Sequence, residues 1–234
     1  MIRRTALLTS LALIGPLVPY EADAKCAMSH LRPDVLTTQA SIGGGIVVAA
    51  ESVPYDVADE GDAVQPTWKL EVGGVTSTPK IDVLAPGLAV YRLPAAAGDA
   101  TLLDGTKVIA KVTTIRTQPV QLLAPKVKGV RHEKRLGRRA SAYTRVALDG
   151  APPEGVVALV LADAKGKPRS FGVVTAGEKE ITVYAHPRCG VVPNDTVESK
   201  PGDRVTLFWV DASGRTSPVS KPVTVSGKTE AERE

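Results

Sequence analysis

Two separated segments of the chain contain the residues best suited to redox or metal chemistry. The stretch KCAMSHL holds Cys26, Met28 and His30, and the stretch HPRCG holds His186 and Cys189. Thiolate, thioether and imidazole groups are ligands that copper and zinc accept, and two cysteines with two histidines complete a tetrahedral zinc site. The C-x₃-H and H-x₂-C spacings differ from the C-x₂-C pairs typical of zinc sites. A periplasmic copper or zinc site is therefore the alternative interpretation of these residues.

The favoured interpretation of the two cysteines is a disulfide bond. Two cysteines in an exported chain ordinarily pair in an oxidising compartment. A bond between Cys26 and Cys189 closes a loop of 189 − 26 = 163 residue steps, for which a chain-entropy model gives at most roughly 5 kcal/mol of stabilisation. We therefore predict a disulfide that ties the N-terminal segment to the second half of the chain, and we expect no cofactor.

The first 24 residues have the three parts of a secretory signal peptide. Two arginines precede an apolar stretch at 6–18, and the small-x-small triplet ADA ends at residue 24. The apolar stretch is shorter than the ~20 residues that span a bilayer, so an uncleaved anchor is the less favoured alternative. We predict cleavage before Lys25, a mature chain without a transmembrane span, and a location in the periplasm, at the cell surface or outside the cell.

The most concentrated charge lies in the segment KVKGVRHEKRLGRR at 126–139. Seven cations against one glutamate give 7 − 1 = +6, more than the net charge of +4 for the whole chain. Such a segment suits an anionic partner such as an acidic protein, a polysaccharide or lipid headgroups. It lacks the aromatic residues that stack on bases, so nucleic acid is not expected. The candidate binding residues are Lys126, Lys128, Arg131, Lys134, Arg135, Arg138 and Arg139.

The same segment has a plainer interpretation. Lysine and arginine also occur in solvated loops, and on edge strands they prevent pairing between sheets of different molecules. His132 lies within this charged run, and we expect its side chain to be solvated.

The residue patterns of common hydrolases are missing from the sequence. It contains neither G-x-S-x-G nor H-E-x-x-H. The SGKT stretch at 226–229 resembles the end of a P-loop, but Pro222 occupies the position of the first glycine. We therefore predict that the protein is not an enzyme.

Short β-branched runs separated by Gly, Pro, Asp and Ser follow the signal segment, which is the pattern of strands and turns. In RVTLFWV the residues Val205, Leu207 and Trp209 alternate, so they share one face of a strand. DASG at 211–214 is the predicted turn that follows. The candidate strands are 44–52, 67–72, 80–85, 88–93, 107–115, 142–150, 155–164, 169–174, 180–186, 204–212 and 221–226.

A weak internal repeat indicates two similar domains. GLAVYRLP at 87–94 resembles KEITVYAHP at 179–187, and the stretch 98–113 resembles 202–225. About seven short strands per ~100 residues is the requirement of a β-sandwich. We predict an all-β protein of two tandem sandwiches, with one larger sandwich or barrel as the alternative. Trp68 and Trp209 are expected to anchor one core each.

The run PGDRVTLFW at 201–209 resembles the corner before the penultimate strand of immunoglobulin-like and fibronectin-III-like domains. Leu207 and Trp209 stand where antibody domains have Tyr and Cys. The resemblance implies a sandwich fold and does not imply a function.

These observations lead to one expectation for the whole chain. The predicted parts are a signal peptide at 1–24, domain 1 at 25–118, domain 2 at 119–226 and a disordered polar tail at 227–234. The predicted function is that of an exported, non-catalytic binding or structural module of the bacterial cell envelope. It would contact its partner through loops and the basic segment.

Overall fold

The computed structural model describes residues 34–49 except 38 and 42, together with 68–95, 98–115, 121–135, 141–184 and 199–230. Both cysteines and the signal segment lie outside these ranges. The described residues form sixteen strands and no helix, which confirms the all-β class.

The strands divide into two halves of the chain. The first half contains β1 (Asp34–Val35), β2 (Gln39–Ser41), β3 (Gly45–Ala49), β4 (Lys69–Val72), β5 (Val75–Ser77), β6 (Ile81–Ala85), β7 (Leu88–Arg92), β8 (Asp99–Asp104) and β9 (Lys107–Ile115). The second half contains β10 (Val127–Arg135), β11 (Ser141–Leu148), β12 (Val156–Asp163), β13 (Pro168–Val173), β14 (Glu180–Tyr184), β15 (Arg204–Asp211) and β16 (Val223–Glu230).

The first half consists of two sheets packed face to face. One sheet has the strand order β1-β3-β7-β6 and the other has the order β2-β9-β8-β4-β5. Their facing side chains form an apolar core that includes Ile46, Leu70 and Leu102. Trp68 belongs to this core and stacks on Tyr91 with ring centroids 5.2 Å apart. Trp68 therefore anchors the first core, as predicted.

The second half closes on itself in the order β10-β11-β14-β13-β12-β15-β16. Strand β10 pairs with β11 in antiparallel fashion and with β16 in parallel fashion. Val205, Leu207 and Trp209 all face the enclosed core, as their alternation predicts. The edge-strand interpretation of the basic segment is wrong, because β10 has a hydrogen-bonded neighbour on each side.

Equivalent pairings recur in the two halves. β7 pairs antiparallel with β3, and β14 pairs antiparallel with β11. In each half an early strand also lies parallel to the last one, β2 beside β9 and β10 beside β16. This arrangement is compatible with two immunoglobulin-like sandwiches, whose boundaries remain predictions. Gly227–Glu230, expected in the polar tail, belong to β16.

A third apolar core joins the halves. The side chains of Val47, Leu88 and Val90 point away from the core of the first half. They pack against Val160 and Val210 of the barrel. β3 and β12 are consequently buried on both faces. Two-sided burial explains why the sequences GIVVA and VVALVLA are continuous apolar runs rather than alternating ones.

Candidate binding surface

Part of the basic segment lies in a closed ring of ion pairs on the outer face of β10, β11 and β14. Arg131 Nε lies 3.3 Å from Glu133 Oε1, and Glu133 Oε2 lies 3.1 Å from Arg145 Nε. Arg145 Nη1 is 3.3 Å from Glu180 Oε2, and Glu180 Oε1 is 3.6 Å from Arg131 Nη2. We call these four residues the charge ring. Their side chains link three strands across the face of the sheet.

The charge ring carries no net charge, so Arg131 contributes less to the surface potential than its position in the sequence suggests. The side chain of Glu133 is only 11% exposed, and it would be costly to bury without its two arginine partners. The hydrogen bond with Tyr143 and the attraction of Glu133 and Glu180 raise the pKa of Arg145, whose guanidinium lies 5.5 Å from the centre of the Tyr143 ring.

Two lysines at the start of β10 remain open to solvent. Lys126 is exposed. Lys128 Nζ lies 3.7 Å from Asp149 Oδ1, but the two side chains are 65% and 60% exposed, and such surface pairs contribute little. Both cations are therefore available to a partner.

Of the seven predicted cations, the structure describes the side chains of Lys126, Lys128 and Arg131. Lys134 and Arg135 continue β10, where they pair in register with Ala142 and Ser141 of β11. Arg138 and Arg139 fall in 136–140, outside the described residues. The binding role of the segment remains a prediction.

His132 lies on the inward side of β10. It alternates with Arg131 and Glu133, and it shares the side of Val130, which is buried in the barrel core. The imidazole is half-buried, and its Nδ1 atom has no hydrogen-bond partner within the described ranges. The expectation of a solvated His132 is therefore wrong, because strand geometry turns alternate residues of this charged run inward.

The five residues of the alternative metal site lie outside the described part of the chain. Among the described residues, no group of three or more His, Cys, Asp or Glu side chains could hold a metal ion. The disulfide and the copper or zinc site both remain predictions. The residues concerned are Cys26, Met28, His30, His186 and Cys189.

A buried carboxylate that the sequence analysis did not single out organises the turn after β15. Asp211 Oδ1 accepts hydrogen bonds from the amides of Ser213 at 2.9 Å and Arg215 at 2.8 Å. Its Oδ2 accepts one from Arg215 Nε at 2.6 Å. Gly214 has φ of +74°, a conformation that glycine adopts without strain. We call residues 211–215 the Asp211 turn.

The Asp211 turn docks on the first half of the chain. Thr37 Oγ1 donates to the carbonyl of Ala212 at 2.5 Å, and the amide of Ser41 donates to Ser213 Oγ at 2.9 Å. The amide of Gly45 donates to the carbonyl of Ser213 at 2.8 Å. The turn therefore provides hydrogen-bond partners for polar groups of the first half, next to the apolar core that the two halves share.

Close packing at this contact depends on Gly214. A Cβ atom at that position would collide with the side chain of Val90. The motif DASG indicated a turn, but no local signal indicated its docking partner, which lies more than a hundred residues earlier.

Comparisons with known proteins give matches to solved structures at low sequence identity. No family model and no curated protein matches it. The solved structures that resemble it include a biofilm-associated protein BSP domain, the adhesin domain of Epf from Streptococcus pyogenes, and dimeric latent PorU from Porphyromonas gingivalis. Their identities are 18%, 11% and 14%, and their TM-scores are 0.29, 0.30 and 0.25.

The matches cover 86%, 71% and 84% of this chain, which spans 30%, 64% and 20% of the three structures. With TM-scores this low, the all-β assignment rests on the strand pairing itself. Within the described ranges, no helix has the length and apolar character needed to cross a membrane.

Proposed function

We propose that this protein is an exported, non-catalytic binding or structural module of the bacterial cell envelope. The observation that carries the proposal is the apolar core between the two halves. This core joins the two halves into one unit. The outer strand faces and the loops of that unit remain available to a partner.

The filled interface argues against a ligand site between the domains. Small-molecule sites occur preferentially in clefts at domain interfaces, where a few polar groups converge. Here aliphatic side chains such as Val47, Val90, Val160 and Val210 occupy the contact. The neighbouring polar groups are used in hydrogen bonds of the Asp211 turn.

The short ion pairs of the described residues have structural roles. The pKa of Asp82 is lowered, chiefly by its hydrogen bond from Arg92. For Asp163, burial raises the pKa, but hydrogen bonds from the Lys167 amide and the Arg169 side chain outweigh burial and lower it. Each pair connects neighbouring strands or closes a hairpin, so these carboxylates support the fold rather than a reaction.

The proposed contact surface is the start of β10 and the loops near it. Lys126 and Lys128 are exposed cations there, whereas the arginines of the charge ring already have partners. An anionic surface is the partner that these cations favour, because the attraction is long-ranged and needs no shaped pocket.

Binding of the full chain to anionic surfaces tests the proposal. The probes are phosphatidylglycerol vesicles and alginate beads, with phosphatidylcholine vesicles as the neutral control. The test variant replaces four cations by glutamine, K126Q/K128Q/R138Q/R139Q. We expect it to lose binding to at least one anionic probe, and we expect the binding of the original chain to weaken as salt increases.

A matched variant with the same change in net charge controls for the overall charge. It replaces four exposed lysines of the first half by glutamine, K69Q/K80Q/K107Q/K111Q, and should retain binding. Equal binding of both variants to every probe would show that the basic segment is not the contact surface.

A further inference from the structure

We propose that the barrel of the second half is a mechanical clamp, which resists tension along the chain through the parallel pair of β10 and β16. The inference rests on the structural role proposed above. It concerns how the module would withstand pulling forces at a cell surface.

The direction of the two strands determines how tension acts on them. The chain enters the barrel through β10 and leaves it through β16, and the two strands run parallel over six consecutive pairs from Val130↔Val225 to Arg135↔Glu230. Tension pulls the start of β10 and the end of β16 in opposite directions along the strand axis. The bonds between the strands are therefore loaded together in shear.

An antiparallel pair of entry and exit strands would behave differently. Its two pulled ends would lie at the same end of the pair, so the hydrogen bonds would break one after another. In the first half the corresponding parallel contact of β2 with β9 extends over only three pairs. We therefore expect the second half to resist tension more strongly than the first.

Two neighbours reinforce the clamp. β10 is also paired with β11 over most of its length, so it cannot slide without disturbing a second ladder. Ser226 Oγ donates a further hydrogen bond to the carbonyl of Val130 at 3.1 Å. The entry strand is thus held on both sides.

The backbone shows which amides of β16 belong to the clamp. The amide of Val225 donates to the carbonyl of Asp203, and the Val225 carbonyl accepts from the amide of Gly202, both at 2.8 Å. Because successive peptide groups of a strand point to opposite sides, the amide of Lys228 points toward β10 and that of Thr229 points away.

Single-molecule pulling on the full chain, held by handles at both ends, tests the clamp. Reducing agent is present, so that tension passes through the polypeptide whatever the state of the cysteines. Proline removes an amide donor. We expect Lys228→Pro to abolish the highest-force unfolding event, whereas Thr229→Pro retains it.

A third variant separates mechanical from equilibrium stability. Leu159→Ala weakens the barrel core outside the clamp, since Leu159 is fully buried in β12. We expect it to lower the chemical denaturation midpoint more than it lowers the unfolding force. The clamp is disproved if the force follows the denaturation midpoint across all variants, or if the two proline variants are equally weak.

Should Lys228→Pro fail to fold, Ser226→Ala is compared with Thr224→Ala, a change of an exposed residue on the same strand. A lower unfolding force for Ser226→Ala alone supports the clamp, and equal forces disprove it. Because the assay contains no partner, its result is independent of the binding experiment above.

Discussion

Tyr91 carries a fully buried hydroxyl that finds no hydrogen-bond partner among the described residues. A buried polar group in this state costs free energy, because it loses its hydrogen bonds to water on folding. We predict that Tyr91→Phe raises the free energy of unfolding by about 1 kcal/mol, measured by urea denaturation. Tyr143→Phe is the matched control and should give no gain, since the Tyr143 hydroxyl is hydrogen-bonded to Arg145.

The same residue should make the fold sensitive to alkali. Burial raises the pKa of Tyr91 from 10.0 to about 12. Ionisation of Tyr91 therefore leaves the stability of the fold unchanged below pH 10. As the pH rises from 10 toward 12 the stability falls, because the unfolded chain releases the proton first. Between these values the stability of Tyr91→Phe should fall less steeply with pH than that of the original chain. Parallel curves would contradict the buried, neutral phenol.

At the scale of single elements, two aspartates organise similar turns with different surroundings. Asp211 binds two amides and an arginine in the Asp211 turn, which contacts the first half of the chain. Asp163 likewise accepts hydrogen bonds from the amides of Lys165 and Lys167 and from the side chain of Arg169. The side chain of Asp163 is 22% exposed, against 6% for Asp211.

We predict that Asp211→Asn lowers the free energy of unfolding by about 2 kcal/mol, the range for hydrogen bonds to a buried charge. Calorimetry of thermal unfolding should also show the two halves beginning to unfold separately, because the turn is part of their contact. Asp163→Asn is the control and should lower stability while a single transition is retained. Identical transitions for the two variants would show that the Asp211 turn does not couple the halves.

At the scale of the whole molecule, apolar side chains of the described residues form a third core that joins the two halves. The predicted disulfide would add a second connection from the N-terminal segment to the second half. The exported protein, denatured with an alkylating reagent in the absence of reductant, should have an intact mass that starts at Lys25 and includes no added alkyl groups. A reduced sample should gain two, one each at Cys26 and Cys189.

Two added groups without prior reduction would contradict the disulfide. Free thiols in an oxidising compartment need protection, and the copper and zinc content of the native protein would then be measured. This measurement therefore decides between the two interpretations of the cysteine-containing segments.

The sequence by itself determined the all-β class, most of the strands and the inward face of β15. These features depend on local periodicity, because alternate side chains of a strand point to the same side. The continuous apolar runs of β3 and β12 indicated strands as well. The candidate strands omitted β1, β2, β5, β8 and β10. The first three are only two or three residues long, β8 is flanked by aspartates, and β10 lies in a charged run, so each gives little periodic signal.

Only the tertiary structure decided which strands are neighbours and where charges are available. Whether β10 lies at an edge depends on β16, about a hundred residues later. The ion-pair partners of Arg131 are Glu133 of its own strand and Glu180 of β14. The contact of Thr37 with Ala212 joins positions 175 residues apart. Such contacts arise from the packing of the two halves against each other, and a local pattern of residues contains no information about them.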